Sequence, residues 1–372
     1  MHKFKLPVEL AIGPGCTRVL SQISGKRILI VCDRFLADST NLTEIKLALD
    51  INNQVKVFSD VNPDPSVIDV TNGIVQLSQF VPDLLIAYGG GSAIDLTKAV
   101  KFFGNKVGLP VEKFIAIPTT SGTGSEVTNA SVISVPDKQI KVPLLSDDLL
   151  PDLALLDPKL TLTVPAEVTA NTGIDVLTHA IEALVSNNSS DFSDALAEKA
   201  IALVFDHLPV AYSDGSNIEA RGKLHNASSI AGIAFNHAGL GMVHAIAHQL
   251  GAQFHVPHGL ANAIALIPVI KFNMRCSETL RKYAYLSRKL GFSASEEPDV
   301  NCVSKLIGEI EYLYEKVGIE PNCRKYTFNH TSTDNLTEIV NNALSDVTLK
   351  TNPIIPGRSE LQDVITKFIK LS

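Results

Sequence analysis

Four residues of this chain have the types and spacing to converge on a cation. In GIDVLTHAIEAL, Asp175 and His179 stand four apart, which on a helix puts both on one face, one turn apart. GMVHAIAHQLG sets His244 and His248 at the same spacing, and HVPHGLANA brings His258 on a Pro–His–Gly turn fourteen residues after His244. Framed by Ala, Leu, Ile and Val, so many histidines and a carboxylate are costly to bury unless they hold an ion. Spacing alone leaves His244 and His248 as alternatives for the third place. Nitrogen and carboxylate ligands suit Fe(II), Zn(II), Co or Ni rather than Mg or Ca. With no thiolate in the set, a site with open positions for substrate is expected over a closed structural zinc. His207, His225 and His237 fall outside the pattern and are read as ordinary hydrogen-bonded histidines. His255 is read as a loop residue or one just outside the ligands.

A second group of residues suits a nucleotide. GGGSAID (Gly89–Asp95) follows an apolar run and opens a helix. Its glycines let the backbone approach a phosphate, and helix amides then point at the anion. Ser92 is expected as N-cap and Asp95 in the first turn. The run does not fit GxGxxG, so the simplest dinucleotide fingerprint fails. PTTSGTGSEVT (Pro118–Thr128) gathers hydroxyls and glycines just past another strand, where open α/β sheets bind ligands. Asp33 ends the first doubly apolar strand. A carboxylate there accepts from both adenosine ribose hydroxyls and repels a 2′-phosphate, which favours NAD(H). The plainer readings are a tight turn, a Ser/Thr-rich loop and a helix cap.

These residues need a scaffold, and the pattern supplies one. RILIVCD (27–33), QVKVFSD (54–60), DLLIAYGG (83–90) and KFIAIPTT (113–120) read as buried strands separated by amphipathic stretches. Such alternation implies parallel pairing and right-handed crossovers. TNASVISV and the stretch after Lys138 read as a hairpin, with Pro136 and Asp137 in its turn. From about Pro165 helical periodicity takes over and β-branched runs become scarce. The expected boundary is therefore near Val164, with an α/β domain over 1–164 and an all-helical domain over 165–372.

Composition excludes several classes. At 372 residues the chain exceeds one ordinary core. Net charge is −7 without a basic stripe, so nucleic acid and anionic membrane are not expected partners. Apolar runs such as Leu153–Leu156 and Ala263–Ile267 are too short to span a bilayer. Residues 1–15 lack a signal-like apolar run and a detached amphipathic targeting extension. Five cysteines without CxxC spacing suit reduced thiols in the cytoplasm.

Taken together, GGGSAID, PTTSGTGSEVT, DPKLTLTVPAEVTANTGIDVLTHAIEA and GMVHAIAHQLGAQFHVPHGLANA resemble the iron-containing (group III) alcohol dehydrogenases over essentially the whole chain. VCDRFLADS, TSGTGSEVTNASVISVPDKQIKVPL, RGKLHNASSIAG and SDVTLKTNP are most similar to the branch of that family serving propanediol and ethanolamine utilisation. The resemblance implies a dehydroquinate synthase-like architecture. An N-terminal dinucleotide-binding α/β domain is followed by an all-α C-terminal domain, with the active site in the cleft. It puts the metal ligands on Asp175, His179, His244 and His258, with Fe(2+) expected and Zn(2+) the alternative. His248 then lies beside the nicotinamide as a catalytic proton-handling residue. NAD contacts fall on Asp33, Gly89, Gly90, Gly91, Ser92, Asp95, Thr119, Thr120, Thr128 and Lys141. The implied substrates are short primary alcohols and their aldehydes (1-propanol, ethanol). A cytoplasmic homodimer is expected, with bacterial microcompartment association suggested by the propanediol and ethanolamine branch. Dehydroquinate synthase-like lyases, which share the architecture, need cations to clamp a phosphorylated substrate. Ala, Leu, Phe, Gln and Asn surround the metal motifs here instead. Zinc-dependent glycerol dehydrogenases differ by lacking the extra histidine. A non-catalytic protein on this fold would be expected to lose some of these roles.

Overall fold

A computed structural model describes residues 3–136, 140–320 and 333–369. Strands β1 (Glu9–Ile12), β2 (Arg27–Val31), β3 (Gln54–Phe58), β4 (Leu84–Gly89), β5 (Lys113–Pro118) and β8 (Leu153–Leu156) form one parallel sheet, in the order β1-β8-β5-β4-β2-β3. The four strands read from the sequence are β2 to β5. β1 and β8, four residues each, are too short to display a period of two, and were not foreseen. β6 (Ala130–Val135) and β7 (Ile140–Leu145) pair antiparallel as the expected hairpin; Asp137 of its turn lies outside the described residues.

Alternate strand residues face opposite sides of the sheet. Leu29, Val31, Leu85, Ala87, Phe114 and Ala116 join Leu77, Ala99 and Val100 in one core. Leu77 comes from helix α3 (Val67–Phe80), and Ala99 and Val100 from α4 (Gly91–Lys106). On the other side Ile28, Ile30, Ile86, Tyr88, Ile115 and Ile117 pack with Leu20, Leu42 and Ile45; the last two belong to α2 (Thr40–Ala48). Both faces being covered explains why these strands read as continuous apolar runs. Chain order reverses between β2 and β4, and their carboxyl ends are neighbours, with Val31 opposite Ala87. This is the switch point at which open α/β sheets bind ligands.

The helices are α1 (Arg34–Ala37), α5 (Ala166–Val185), α6 (Asp191–Ser213), α7 (Ile218–Ala238), α8 (Met242–Phe254), α9 (His258–Asn273), α10 (Ser277–Lys289), α11 (Asp299–Lys316), α12 (Thr333–Ser345) and α13 (Arg358–Ile365), besides those above. Two compact units result. One comprises Lys5–Val164 and Gly215–Asn236; the other comprises Met1–Phe4, Pro165–Asp214 and His237–Ser372.

A single break near Val164 therefore needs correcting, because most of α7 belongs with the α/β unit. Its polar side chains explain why. Arg221 Nη2 donates to Val164 O (2.8 Å), Ser229 Oγ to buried Glu126 Oε1 (2.5 Å), and Asn236 Oδ1 accepts from Asn129 N (2.8 Å). Gly124, at φ +62°, lies so near Gly232 that a Cβ on it would come within 2.7 Å of Gly232 Cα. Only glycine permits that approach.

In the helical unit α5 packs against α6 and α9, and α8 against α9. Every α5 residue from Gly173 to Val185 is buried, so any charge on that stretch must find a partner inside. Among the described residues no single helix is long and apolar enough to cross a membrane.

Candidate active site

Asp175 and His179 come from buried α5, His244 from the first turn of α8, and His258 from the first residue of α9. Their ligand atoms all lie within 4.8 Å of one another. Three imidazoles aim at one oxygen. His179, His244 and His258 place Nε2 at 3.7, 3.9 and 3.6 Å from Asp175 Oδ1. Bonds of about 2.0–2.1 Å in a tetrahedral site put ligand atoms roughly 3.4 Å apart, so this donor set fits a divalent cation with little contraction. Burial pushes the Asp175 carboxyl up to about 8 and drives His244 well below its ordinary value. A dication would reverse the first preference and reinforce the second, since it binds the carboxylate and the neutral imidazole.

Beyond the ligands lies a set of partners that sequence reading missed. Glu182, also on α5, accepts from Val243 N (2.6 Å) and meets His244 Nδ1 at 2.5 Å. With Nδ1–H committed to a carboxylate, Nε2 keeps its lone pair for a metal. Glu182 thereby also caps the amino end of α8, whose unsatisfied amides favour a negative charge. Burial still pushes its carboxyl up to about 8 against these backbone donors. Met242 N, the next amide, donates to Asn352 Oδ1 (3.0 Å). Asn262, one turn along α9 from His258, donates Nδ2 to Asp175 Oδ1 (2.7 Å). The i+3 spacing of Glu182 from His179 and the i+4 spacing of Asn262 from His258 were the available signals.

His248, one turn after His244, is not among the converging ligands. Its Nδ1 meets Asp346 Oδ2 at 2.8 Å, and its ring stacks on His258 at 5.8 Å. Burial would raise the Asp346 carboxyl, but the hydrogen bond and charge of His248 and the Thr348 donors outweigh it and hold it low. His255 caps α8 in a left-handed conformation (φ +55°) and is exposed, as a loop residue. His237 stacks on Phe4. His225 is buried against Ser121 Oγ (Nδ1, 3.0 Å).

In the α/β unit the glycine turn ends β4 at the switch point. Gly90 caps α4 without a side-chain hydrogen bond, so Ser92 does not cap it. Ser92 Oγ instead accepts from Asp64 N (3.4 Å). A Cβ on Gly91 would meet Thr123 at 2.7 Å, and one on Gly90 would meet Thr120 Oγ1 at 3.1 Å. Glycine is thus required for the turn to close on the Thr-rich loop, and Thr119 N donates to Gly89 O (3.1 Å) beside it. An uncapped helix start, hydroxyls and a sheet switch point fit a pyrophosphate.

Asp33 Oδ1 accepts from Leu36 N (2.8 Å) and caps α1. That occupies one carboxylate oxygen of two, so capping and ribose binding are compatible. Lys141 Nζ pairs with Asp64 (2.7 Å). Asp95 and Thr128 are committed within the protein. Asp95 accepts from Ser125 Oγ (2.5 Å) and Val132 N (2.9 Å). Buried Lys98 donates to Thr128 O (2.7 Å) and Oγ1 (3.1 Å). Burial lowers Lys98 to about 8 although Asp95 and Glu126 oppose it. These residues brace the loop from behind.

Residues 7–158 match the family model described as iron-containing alcohol dehydrogenase, and residues 169–369 match that of the Fe-containing alcohol dehydrogenase family, C-terminal. The chain is 46% identical to the 1-propanol dehydrogenase PduQ of Salmonella typhimurium over 99% of this chain and 100% of that one. It is 36% identical to an NADPH-dependent butanol dehydrogenase of Clostridium saccharobutylicum, over 98% of this chain and 97% of the relative. Its fold is similar to the crystal structure of sulfoacetaldehyde reductase from Bifidobacterium kashiwanohense in complex with NAD+, with a TM-score of 0.88, 28% identity and 100% of both chains covered.

Proposed function

Because the chain belongs to the iron-containing alcohol dehydrogenase family, we propose that it interconverts short primary alcohols and their aldehydes with NAD(H) and a divalent metal. 1-Propanol and propanal are the first-choice pair, ethanol and acetaldehyde the second. Iron is the expected metal and zinc the alternative, since the donor set accepts both. One observation carries this reading: three Nε2 atoms converge on one buried carboxylate oxygen.

Asp175, His179, His244 and His258 would hold the cation, which when bound supplies Lewis acidity toward the substrate oxygen. Asp33, Gly89 to Ser92, Thr119, Thr120 and Lys141 would hold a nicotinamide nucleotide, which when bound would supply or accept the hydride. Glu182 keeps the His244 proton on Nδ1 and so the lone pair on Nε2. His248 keeps a proton on Nδ1 against Asp346, which leaves Nε2 to pass a proton to or from the substrate oxygen through hydroxyls or water.

The sequence motifs shared with the branch of the family serving propanediol and ethanolamine utilisation support a cytoplasmic homodimer, free or associated with a bacterial microcompartment. Light scattering and cell fractionation test those two points. The central experiment pairs metal analysis of protein purified without air with NADH oxidation across C2 to C4 aldehydes. Chelation should abolish turnover, and Fe(II), Zn(II) or Co(II) should restore it to differing extents. Full activity in demonstrably metal-free protein would overturn the proposal.

A further inference from the structure

Asn262 is fully buried on α9, and its side chain lies against the ligand cluster. Its Nδ2 donates to Asp175 Oδ1 at 2.7 Å and lies 3.3 Å from His244 Nε2 and 3.4 Å from His258 Nε2. The oxygen on which the three imidazoles converge is therefore also the oxygen that this amide grips. Asn262 Oδ1 is buried with no hydrogen-bond partner among the described residues. A half-satisfied amide is a poor choice for packing, because leaving a buried acceptor unpaired costs more than an apolar side chain of that size would. An amide at this position therefore points to a role of the donor half.

We propose that Asn262 is a positioning residue of the metal centre. Its amide fixes the direction in which Asp175 presents Oδ1 and thereby governs how firmly the ion is held. A carboxylate oxygen has two lone-pair directions, so Oδ1 can accept from Asn262 with one and bind a cation with the other. Without the amide, Asp175 is free to turn about its terminal torsion, which is broad. Asn262 also shares α9 with His258, so one side chain ties the aim of the α5 carboxylate to the helix that carries an imidazole ligand.

This inference rests on the metal-centre reading above and is tested separately from it. The full-length protein is loaded with Co(II). Its visible d–d absorption and the rate of Co(II) release into excess EDTA are then recorded for wild type, Asn262→Leu and Asn262→Ala. Loss of a residue behind a metal ligand typically weakens retention about 10- to 100-fold. Both variants should therefore release Co(II) at least 10-fold faster and show a displaced absorption band. A purely structural role would lower the melting temperature but leave band and release rate within twofold of wild type, and that outcome refutes the proposal. If Asn262→Leu does not fold, Asn262→Ala decides alone. Wild-type protein that retains no Co(II) would instead bring down the metal centre, and this inference with it.

Discussion

Asp33 caps a helix with one carboxylate oxygen, and the proposed function assigns the other to cofactor choice. Asp33→Gly should shift the ratio of kcat/KM for NADH over NADPH toward NADPH by at least about 10-fold, since repulsion of a 2′-phosphate disappears. Arg34, next in sequence, is exposed and paired with Asp60, and would then have a second anion within reach. An unchanged preference removes Asp33 from the cofactor site. For the proton-handling pair, His248→Ala should cut turnover by roughly 10²-fold with metal content intact, and Asp346→Asn should reproduce part of that loss with an altered pH profile. A His248→Ala enzyme with the wild-type profile ends that assignment. His225 governs stability rather than chemistry. Burial lowers it to about 4 from 6.5, so the unfolded chain binds its proton first. Stability is complete above pH 6.5 and is lost as pH falls toward 4, by about 3 kcal/mol for this residue. Urea melts of His225→Asn should show a flatter slope across that window; a slope like wild type would mean that the residue does not titrate as described.

Elements were legible where they were long and periodic. Strands β2 to β5 and the ligand helix α5 follow from their apolar runs. β1 and β8 escaped because four residues carry no period. Helical spacing gave the four candidate ligands once resemblance chose His244 over His248; in the structure the ligand atoms that lie together are those of Asp175, His179, His244 and His258. Glu182, Asn262 and Asp346 did not follow, because which buried donor meets which acceptor is fixed by packing between helices and not by spacing along one. Gly259 shows how close that packing is. A Cβ there would come within 1.9 Å of the Asn171 carbonyl oxygen on α5. Gly259→Ala must therefore push the start of α9, and His258 with it, off its place. The expected cost is about 1–3 kcal/mol, together with weaker metal retention in the Co(II)–EDTA release assay. Wild-type retention in a folded Gly259→Ala protein would show that α9 accommodates the methyl group without moving its ligand.

On the scale of the molecule, the two proposed chemistries fall in different units. All four candidate ligands and their partners lie in the helical unit, and the glycine turn, Thr-rich loop and Asp33 lie in the α/β unit. Chelated protein should therefore lose turnover yet still bind NADH, read by nucleotide fluorescence, with Kd within a few-fold of the loaded enzyme. A Kd raised 10-fold or more would mean that the units report on one another. Saturating metal at 100 times its Kd should in turn add about 2.7 kcal/mol of stability.

The α/β unit also takes back Gly215–Asn236 after the chain has run through α5 and α6. That detour bears on biosynthesis. Until residue 236 has left the ribosome, Glu126 lacks Ser229, Ser121 lacks His225 and Asn129 lacks Asn236. The α/β unit, although most of it precedes the helical unit along this sequence, is therefore not the first piece that can be finished. A fragment cut at Val164 would hold every strand of the sheet but expose the loop that α7 normally covers, and a chaperone would meet that uncovered loop for the time it takes to translate some seventy further residues.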